Sequence, residues 1–261
     1  MKRIIQFLVW FIGVIALLFA GFLGYFTVTD YQPGEQEKMA EHAGSQVSCD
    51  TVSCLSWNIG YGGLGEDMSF FYDGGDLVRT TETQTIKNLE GILRHIQSLD
   101  SVDLFLLQEV DTNSKRSYYI NQFRRISEIL APTRGYFASN YSVDFVPVPM
   151  SKPLGKVRGG LATFSDYTPE KVVRHAFPGN YSWPKRLFML DRCFLVSRYS
   201  LADGAQLLII NTHNSAYDDG SLKRRQMRYL KSFLTAEYQK GNYVIVGGDW
   251  NQFPPTIHAD A

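Results

Sequence analysis

Tyr243-Val244-Ile245-Val246-Gly247-Gly248-Asp249-Trp250-Asn251 is the stretch on which the fold turns. An apolar run rich in β-branched residues stops at two glycines, and a carboxylate and a carboxamide follow two residues apart. Such a run reads as a strand buried on both faces. Gly247 and Gly248 let the backbone turn sharply where the strand leaves its sheet. Residues i and i+2 of an extended chain project to one side, so Asp249 and Asn251 point into one space. An ionised acceptor beside a neutral donor and acceptor suits the joint holding of a water and a phosphate oxygen. An Asx-type turn closing the strand is the local alternative.

Working outward, three more apolar runs end in polar residues. Thr51–Asn58 is a short strand ending at Trp57-Asn58, followed by the Gly-rich, aromatic loop 59–76. Asp103-Leu104-Phe105-Leu106-Leu107-Gln108-Glu109 is a buried strand with a polar end, and Gln206–Thr212 runs into His213. Further strands are expected at Tyr136–Tyr141, Gly160–Ser165, Lys171–Phe177 and Asp191–Tyr199, with long loops at 144–158 and 178–186. Helical spacing of apolar residues predicts helices over about 80–99 (Ile86, Leu89, Leu93, Ile96), 114–130 (Tyr119, Phe123, Ile126, Leu130) and 221–237 (Met227, Leu230, Leu234). Threonines stand ready to cap the first of these. Strands interleaved with helices mean α/β layers. Adjacent β segments joined without helices favour a mixed sandwich of two sheets with helices outside over one doubly wound sheet.

Residues 4–26 contain no charged side chain, and at about 1.5 Å per residue they are long enough to cross a bilayer. Lys2 and Arg3 precede this run, while Asp30, Glu35, Glu37 and Glu41 follow it against the lone Lys38. The positive-inside rule therefore predicts a single-pass anchor over 1–28 with a cytoplasmic N-terminus and an extracytoplasmic domain. A secreted protein cleaved near Ala20-Gly21 is the alternative; the apolar run exceeds the usual length of a signal core. Residues 29–49, polar with Pro and Gly, read as a linker, and 50–261 as the domain.

The chain holds 26 basic and 26 acidic residues, and its part beyond residue 29 is net acidic by about two. That argues against a dedicated nucleic-acid binder, which carries a basic excess. The three cysteines, Cys49, Cys54 and Cys193, form neither a disulfide framework nor a zinc cluster. Cys49 and Cys54 can pair outside the cytoplasm, with Cys54 as plain core the simpler reading.

LSWNIG, LFLLQEVD, RGGLATFS, LLIINTHNSAYDDG and VIVGGDWNQFPP, in this order and each at a strand end, resemble the endonuclease/exonuclease/phosphatase superfamily, or DNase I-like fold, over about residues 51–255. The resemblance implies a four-layer α/β sandwich of two mixed β-sheets flanked by helices, here preceded by an N-terminal transmembrane helix. It implies phosphoester hydrolysis with Mg²⁺ or Mn²⁺ and an activated water. Glu109 matches the family's metal-binding glutamate, and Asn58 the asparagine that completes the metal site or contacts the phosphate. His213 matches a histidine that acts on the scissile phosphate, Asp249 the aspartate that orients the water, and Asn251 its neighbour that holds a phosphate oxygen. Outside those matches, Arg158 ahead of Gly159-Gly160 is a candidate phosphate contact, a plain surface arginine being its alternative. Asp191-Arg192 reads as structural, Tyr217, Asp218 and Asp219 as a turn and helix cap, and Tyr181, Trp183 and Phe70-Phe71-Tyr72 as packing, contact with a base, sugar or lipid being their alternative.

The chain departs from the family in one respect: no Asp-His dipeptide occurs, and His258 falls too early to replace the family's C-terminal histidine. The expectation is a chain lacking the C-terminal strands of a longer enzyme, with an exposed sheet edge there. The competing expectation is a non-catalytic module that binds phosphate ligands or lipid on the same fold. Expected partners are a phosphoester (a lipid head group, a small phosphodiester or nucleic acid) and the membrane; no protein partner is implied.

Overall fold

The computed structural model describes residues 1–48 and 51–252. Cys49 and His258 lie outside the described residues, and with Cys49 the pairing weighed for Cys54. The first helix, α1 (Lys2–Val28), has a mean hydropathy of 2.5 over its most apolar window and buries none of that window.

Two sheets stack face to face. One is ordered β1 (Gln36–Glu41), β6 (Lys171–Ala176), β7 (Cys193–Ser200), β8 (Gln206–His213), β9 (Tyr243–Asp249). The other is ordered β2 (Cys54–Asn58), β3 (Leu104–Asp111), β5 (Gly155–Ser165), β4 (Arg134–Val146). Both are mixed: β2 pairs β3 in parallel and β8 pairs β9 in parallel, while β5 runs antiparallel to β3 and β7 antiparallel to β8. Alternate side chains of each strand serve two cores. Between the sheets, Leu104 and Leu106 meet Tyr199 and Ile209, and Ala138 and Leu161 meet Val172 and Leu195. Outside the second sheet, α2 (Glu82–Gln97) and α3 (Gln122–Ile129) close over Phe105, Leu107 and Phe164. Outside the first, α4 (Ser221–Gln239) places Leu230 on Phe194, Val196, Leu208 and Ile210. Each of these buried large side chains contributes about 1.5–3 kcal/mol relative to exposure. The result is the expected α/β/β/α sandwich.

A buried polar clasp fixes the sheets against each other just below the strand ends. Gln108 Nε2 donates to Asn211 Oδ1 at 2.8 Å, and Asn211 Nδ2 donates to the carbonyls of Leu107 (3.1 Å) and Ala162 (3.0 Å). Close approach is enforced nearby, since a Cβ on Gly247 would lie 2.8 Å from Leu106 Cδ1. Gly248, at φ +148°, leaves no room for a side chain, because a Cβ would sit 2.1 Å from the Thr212 carbonyl oxygen.

Two expectations are corrected. The linker assigned to 29–49 contains β1, which pairs antiparallel with β6 from Gln36↔His175 to Glu41↔Lys171. This strand carries no apolar run because it is an edge: backbone pairing holds it, and only Ala40 packs into the core. The helix expected over 114–130 begins at Gln122, where Asn121 Oδ1 caps Arg124 N at 2.9 Å. Upstream, Tyr118 and Tyr119 adopt φ of 54° and 61°, which ends the short 3₁₀ turn Lys115–Ser117.

Candidate active site

The parallel pairs β2–β3 and β8–β9 end at the same edge of the sandwich, one pair from each sheet. Asn58 lies opposite Gln108, one residue before Glu109, and His213 lies opposite Asp249. Asn58 Nδ2 donates to both Glu109 Oε1 (3.0 Å) and Asp249 Oδ2 (2.8 Å), while Asn58 Oδ1 accepts from Gly60 N (2.9 Å). His213 Nε2 stands 3.6 Å from Asp249 Oδ2 and 4.0 Å from Glu109 Oε1. Amide, imidazole and two carboxylates from four strands thus meet in one place. Ligand atoms of Glu109, His213 and Asp249 all lie within 4.8 Å of one another.

Glu109 reaches this point through an irregularity. Its φ is +55°, and the β3–β5 register slips between Leu107 and Val110. A bulge re-aims a side chain at some cost in backbone strain, of order 1–3 kcal/mol for a non-glycine residue held at positive φ. His213 is buried, and burial, reinforced by the positive charges of Arg192 and Arg116, pushes its pKa well below the ordinary value. It is therefore a neutral imidazole at neutral pH, and its Nδ1 is buried without a hydrogen-bond partner.

Not every expected residue joins the cluster. Asn251, at φ +49°, folds its backbone N–H onto Asp249 Oδ1 (2.9 Å) but sends Nδ2 to the Asn214 carbonyl (2.8 Å). It braces the loop after β8, because the chain leaves extended geometry at Gly248 and the i, i+2 rule lapses. Arg158 is corrected: its guanidinium binds Asp144 Oδ1 at 2.7 Å and lines a separate cavity beside Phe26 and Asp30. Asp218 and Asp219 do cap α4, accepting from Leu222 N (2.7 Å) and Ser221 N (2.9 Å).

Arg192, not Arg158, lies at this edge. It lines a cavity of about 100 Å³ together with Glu109 and His213. Its Nη1 is buried and unpartnered, and no ion pair or side-chain hydrogen bond to it occurs among the described residues. Burial lowers its pKa, while the carboxylates of Glu109 and Asp249 favour its charge. The sheet register explains its position. β7 runs antiparallel to β8, with Phe194 opposite Thr212, so the start of β7 lies beside the end of β8. A charged residue just before an apolar strand then belongs at the same edge as His213.

The cavity has an aromatic roof. The rings of Tyr72 and Tyr217 stack at 5.4 Å, and Tyr217 Oη donates to Asp73 Oδ1 at 2.7 Å. Tyr181 Oη donates to the Tyr217 carbonyl at 2.8 Å. Three loops read as turns and packing (59–76, 178–186 and 214–219) are in this way tied together over the polar edge.

Residues 55–258 match the model of the Endonuclease/Exonuclease/phosphatase family. The chain belongs to that family. No curated protein matches its sequence. Among solved structures, it superimposes on an endonuclease/exonuclease/phosphatase from Beutenbergia cavernae DSM 12333 with a TM-score of 0.54 at 19% identity, over 78% of this chain and 49% of that one. It also superimposes on the human Nocturnin catalytic domain with bound sulfate anion, with a TM-score of 0.51 at 18% identity, over 78% of this chain and 65% of that one. The chain therefore spans about half the length of the first and less than two thirds of the second.

Proposed function

We propose that this protein is a metal-dependent phosphoester hydrolase anchored to a membrane by α1. The observation that carries the reading is the meeting of Asn58, Glu109, His213 and Asp249 at one sheet edge, faced by the unpaired guanidinium of Arg192. Phosphoryl transfer asks for positioning and charge neutralisation more than for covalent help.

The donor set fits a hard divalent cation such as Mg²⁺ or Mn²⁺. Two carboxylates lie close together with only an amide N–H between them, which is where a cation would relieve their repulsion. Glu109 would hold it, with Asn58 contributing its oxygen in exchange for the Gly60 N–H it now accepts. When bound, the cation supplies Lewis acidity to a phosphoryl oxygen. Asp249 is the acceptor that aims a water, its Oδ1 already oriented by the Asn251 N–H. Neutral His213 offers a hydrogen-bond donor to an oxygen gaining charge. Arg192 suits two phosphate oxygens through a planar fork of donors.

The test is hydrolysis of bis(4-nitrophenyl) phosphate and 4-nitrophenyl phosphate by the intact protein. Turnover that requires Mg²⁺ or Mn²⁺ and stops with EDTA is expected. Turnover indifferent to chelation, or phosphate binding without turnover that survives Asp249→Ala, would reject it. Anchoring is tested separately: a chain that stays in alkaline-washed membranes with its N-terminus intact agrees, and a soluble chain starting beyond Ala20 does not.

A further inference from the structure

We infer that the segment 178–190 is a second membrane contact, seated in the headgroup layer beside α1, and that it turns the mouth of the site toward the bilayer so that the phosphoester taken is a lipid head group. The second half of this inference rests on the hydrolase reading above; the first half rests on the anchoring by α1 proposed there and not on hydrolysis.

The helix and the pocket wall are physically joined. Near the domain end of α1, the rings of Phe22 and Phe26 lie 6.0 and 5.3 Å from the ring of Phe188. Trp183 Nε1 donates to Thr27 Oγ1 at 3.1 Å. Phe188 in turn packs with Leu190 and Phe71 in the cluster around Tyr141 and Leu154. Leu190, Tyr141 and Leu154 line the cavity that holds Glu109, Arg192 and His213. From lipid-facing helix to site there is therefore one unbroken row of apolar contacts.

Depth follows from the helix length. A bilayer core of about 30 Å takes roughly 20 residues at 1.5 Å each. A span that starts at Ile4, the first residue past Lys2-Arg3, ends close to Phe22. Phe188, in ring contact with Phe22, is then held at the boundary between acyl chains and head groups, and Trp183 at the level of the head groups. The chemistry of the segment suits that layer. Trp183 is 53% exposed despite its size, and Met150 on the neighbouring β4–β5 turn is 90% exposed. Lys185 sits over the Tyr181 ring at 3.9 Å, an aromatic and a cation presented together. Tryptophan and tyrosine concentrate at this depth, where one end of the ring is apolar and the other wet. An open tryptophan beside an apolar helix that is itself bare forms one contiguous apolar patch, of the kind that marks a membrane contact.

The contact is tested with the intact protein in phosphatidylcholine vesicles whose acyl chains carry bromine near the glycerol. The fluorescence difference between wild type and Trp183→Phe isolates one indole, and the conservative replacement keeps the ring that packs there. Quenching of that difference by the brominated lipid is expected; a difference equal in brominated and plain vesicles would overturn the contact. The lipid half is tested by comparing vesicle-borne phospholipids of varied head group with soluble bis(4-nitrophenyl) phosphate. Trp183→Ser with Lys185→Ser should lower vesicle turnover by about tenfold and leave the soluble ester within about twofold. Hydrolysis of the soluble ester with no phospholipid cleaved, or an equal fall on both, would overturn it. Failure on both substrates with quenching intact would reject the hydrolase reading and leave the membrane contact standing.

Discussion

Glu109 and Asp111 hang from the same strand, two residues apart, and the protein treats them in opposite ways. Asp111 is fully buried and held on every side: Arg116 Nε and Nη2 donate to it at 3.0 and 2.9 Å, and Ser117 Oγ at 2.9 Å. Arg116 also stacks over Tyr61 at 3.8 Å; burial opposes its charge, yet Asp111 pushes its pKa up. Glu109 is partly open, sits on a strained backbone and has one amide donor. Its arginine, Arg192, is partly buried, and the buried Nη1 has no hydrogen-bond partner. Withdrawing a guanidinium from water without a hydrogen-bonded partner is costly, and such groups cluster at functional sites. Within this pair, the satisfied carboxylate belongs to the scaffold, while the open one lines the cavity.

Exchanging the carboxylates is the most severe way to break this contrast. Glu109→Gln should lower turnover by about 10³-fold with an unchanged urea midpoint. Asp111→Asn should do the reverse, costing about 3–5 kcal/mol in urea unfolding by leaving Arg116 uncompensated. Equal stability losses for the two would erase the distinction. The arginines sharpen it. Arg192→Met should weaken inhibition by inorganic phosphate by about tenfold and leave stability level or raised, whereas Arg116→Met should destabilise as Asp111→Asn does. The sheet clasp comes next: Asn211→Ala, which strands Gln108 in the core, should cost about 1–3 kcal/mol.

The smallest effect is a pH dependence far from the site. Arg198 donates to Glu237 at 2.8 and 3.0 Å, and with Lys240 and Asn242 it overcomes the cost of burial and lowers the Glu237 pKa to about 2. A carboxyl with a depressed folded pKa contributes stability above its unfolded pKa, near 4.5, and loses it as pH falls toward 2. Wild type should therefore exceed Glu237→Gln by about 1 kcal/mol at pH 7, and the gap should shrink between pH 4.5 and 2. Thermal unfolding across that range measures it.

Much of this was legible in the sequence because strand ends announce themselves. Apolar runs closing on Asn58, Glu109, His213 and Asp249 named the cluster, and alternate burial in a two-sheet sandwich follows from those runs. What was illegible depended on pairing partners. β1 has no hydrophobic pattern, since an edge strand is held by backbone bonds that any polar residue can make. Arg158 and Arg192 look alike in sequence, each flanking an apolar or glycine-rich strand; only the register shows that Asp144 claims one while the other faces His213. Asn251 stays against Asp249 through its backbone N–H, but its amide turns to the Asn214 carbonyl, a bend that the same-side rule for an extended chain does not include. The aromatic roof needs three loops at once, and no local spacing encodes that.

The account stands most directly on where a divalent cation binds. Crystals of the intact protein soaked in Mn²⁺ and measured at its absorption edge should give an anomalous peak bonded to a Glu109 oxygen, in the space between Glu109 and Asp249, with Asn58 turned to present its oxygen. Manganese bound only elsewhere, with Asn58 Nδ2 still bridging the two carboxylates, would contradict it.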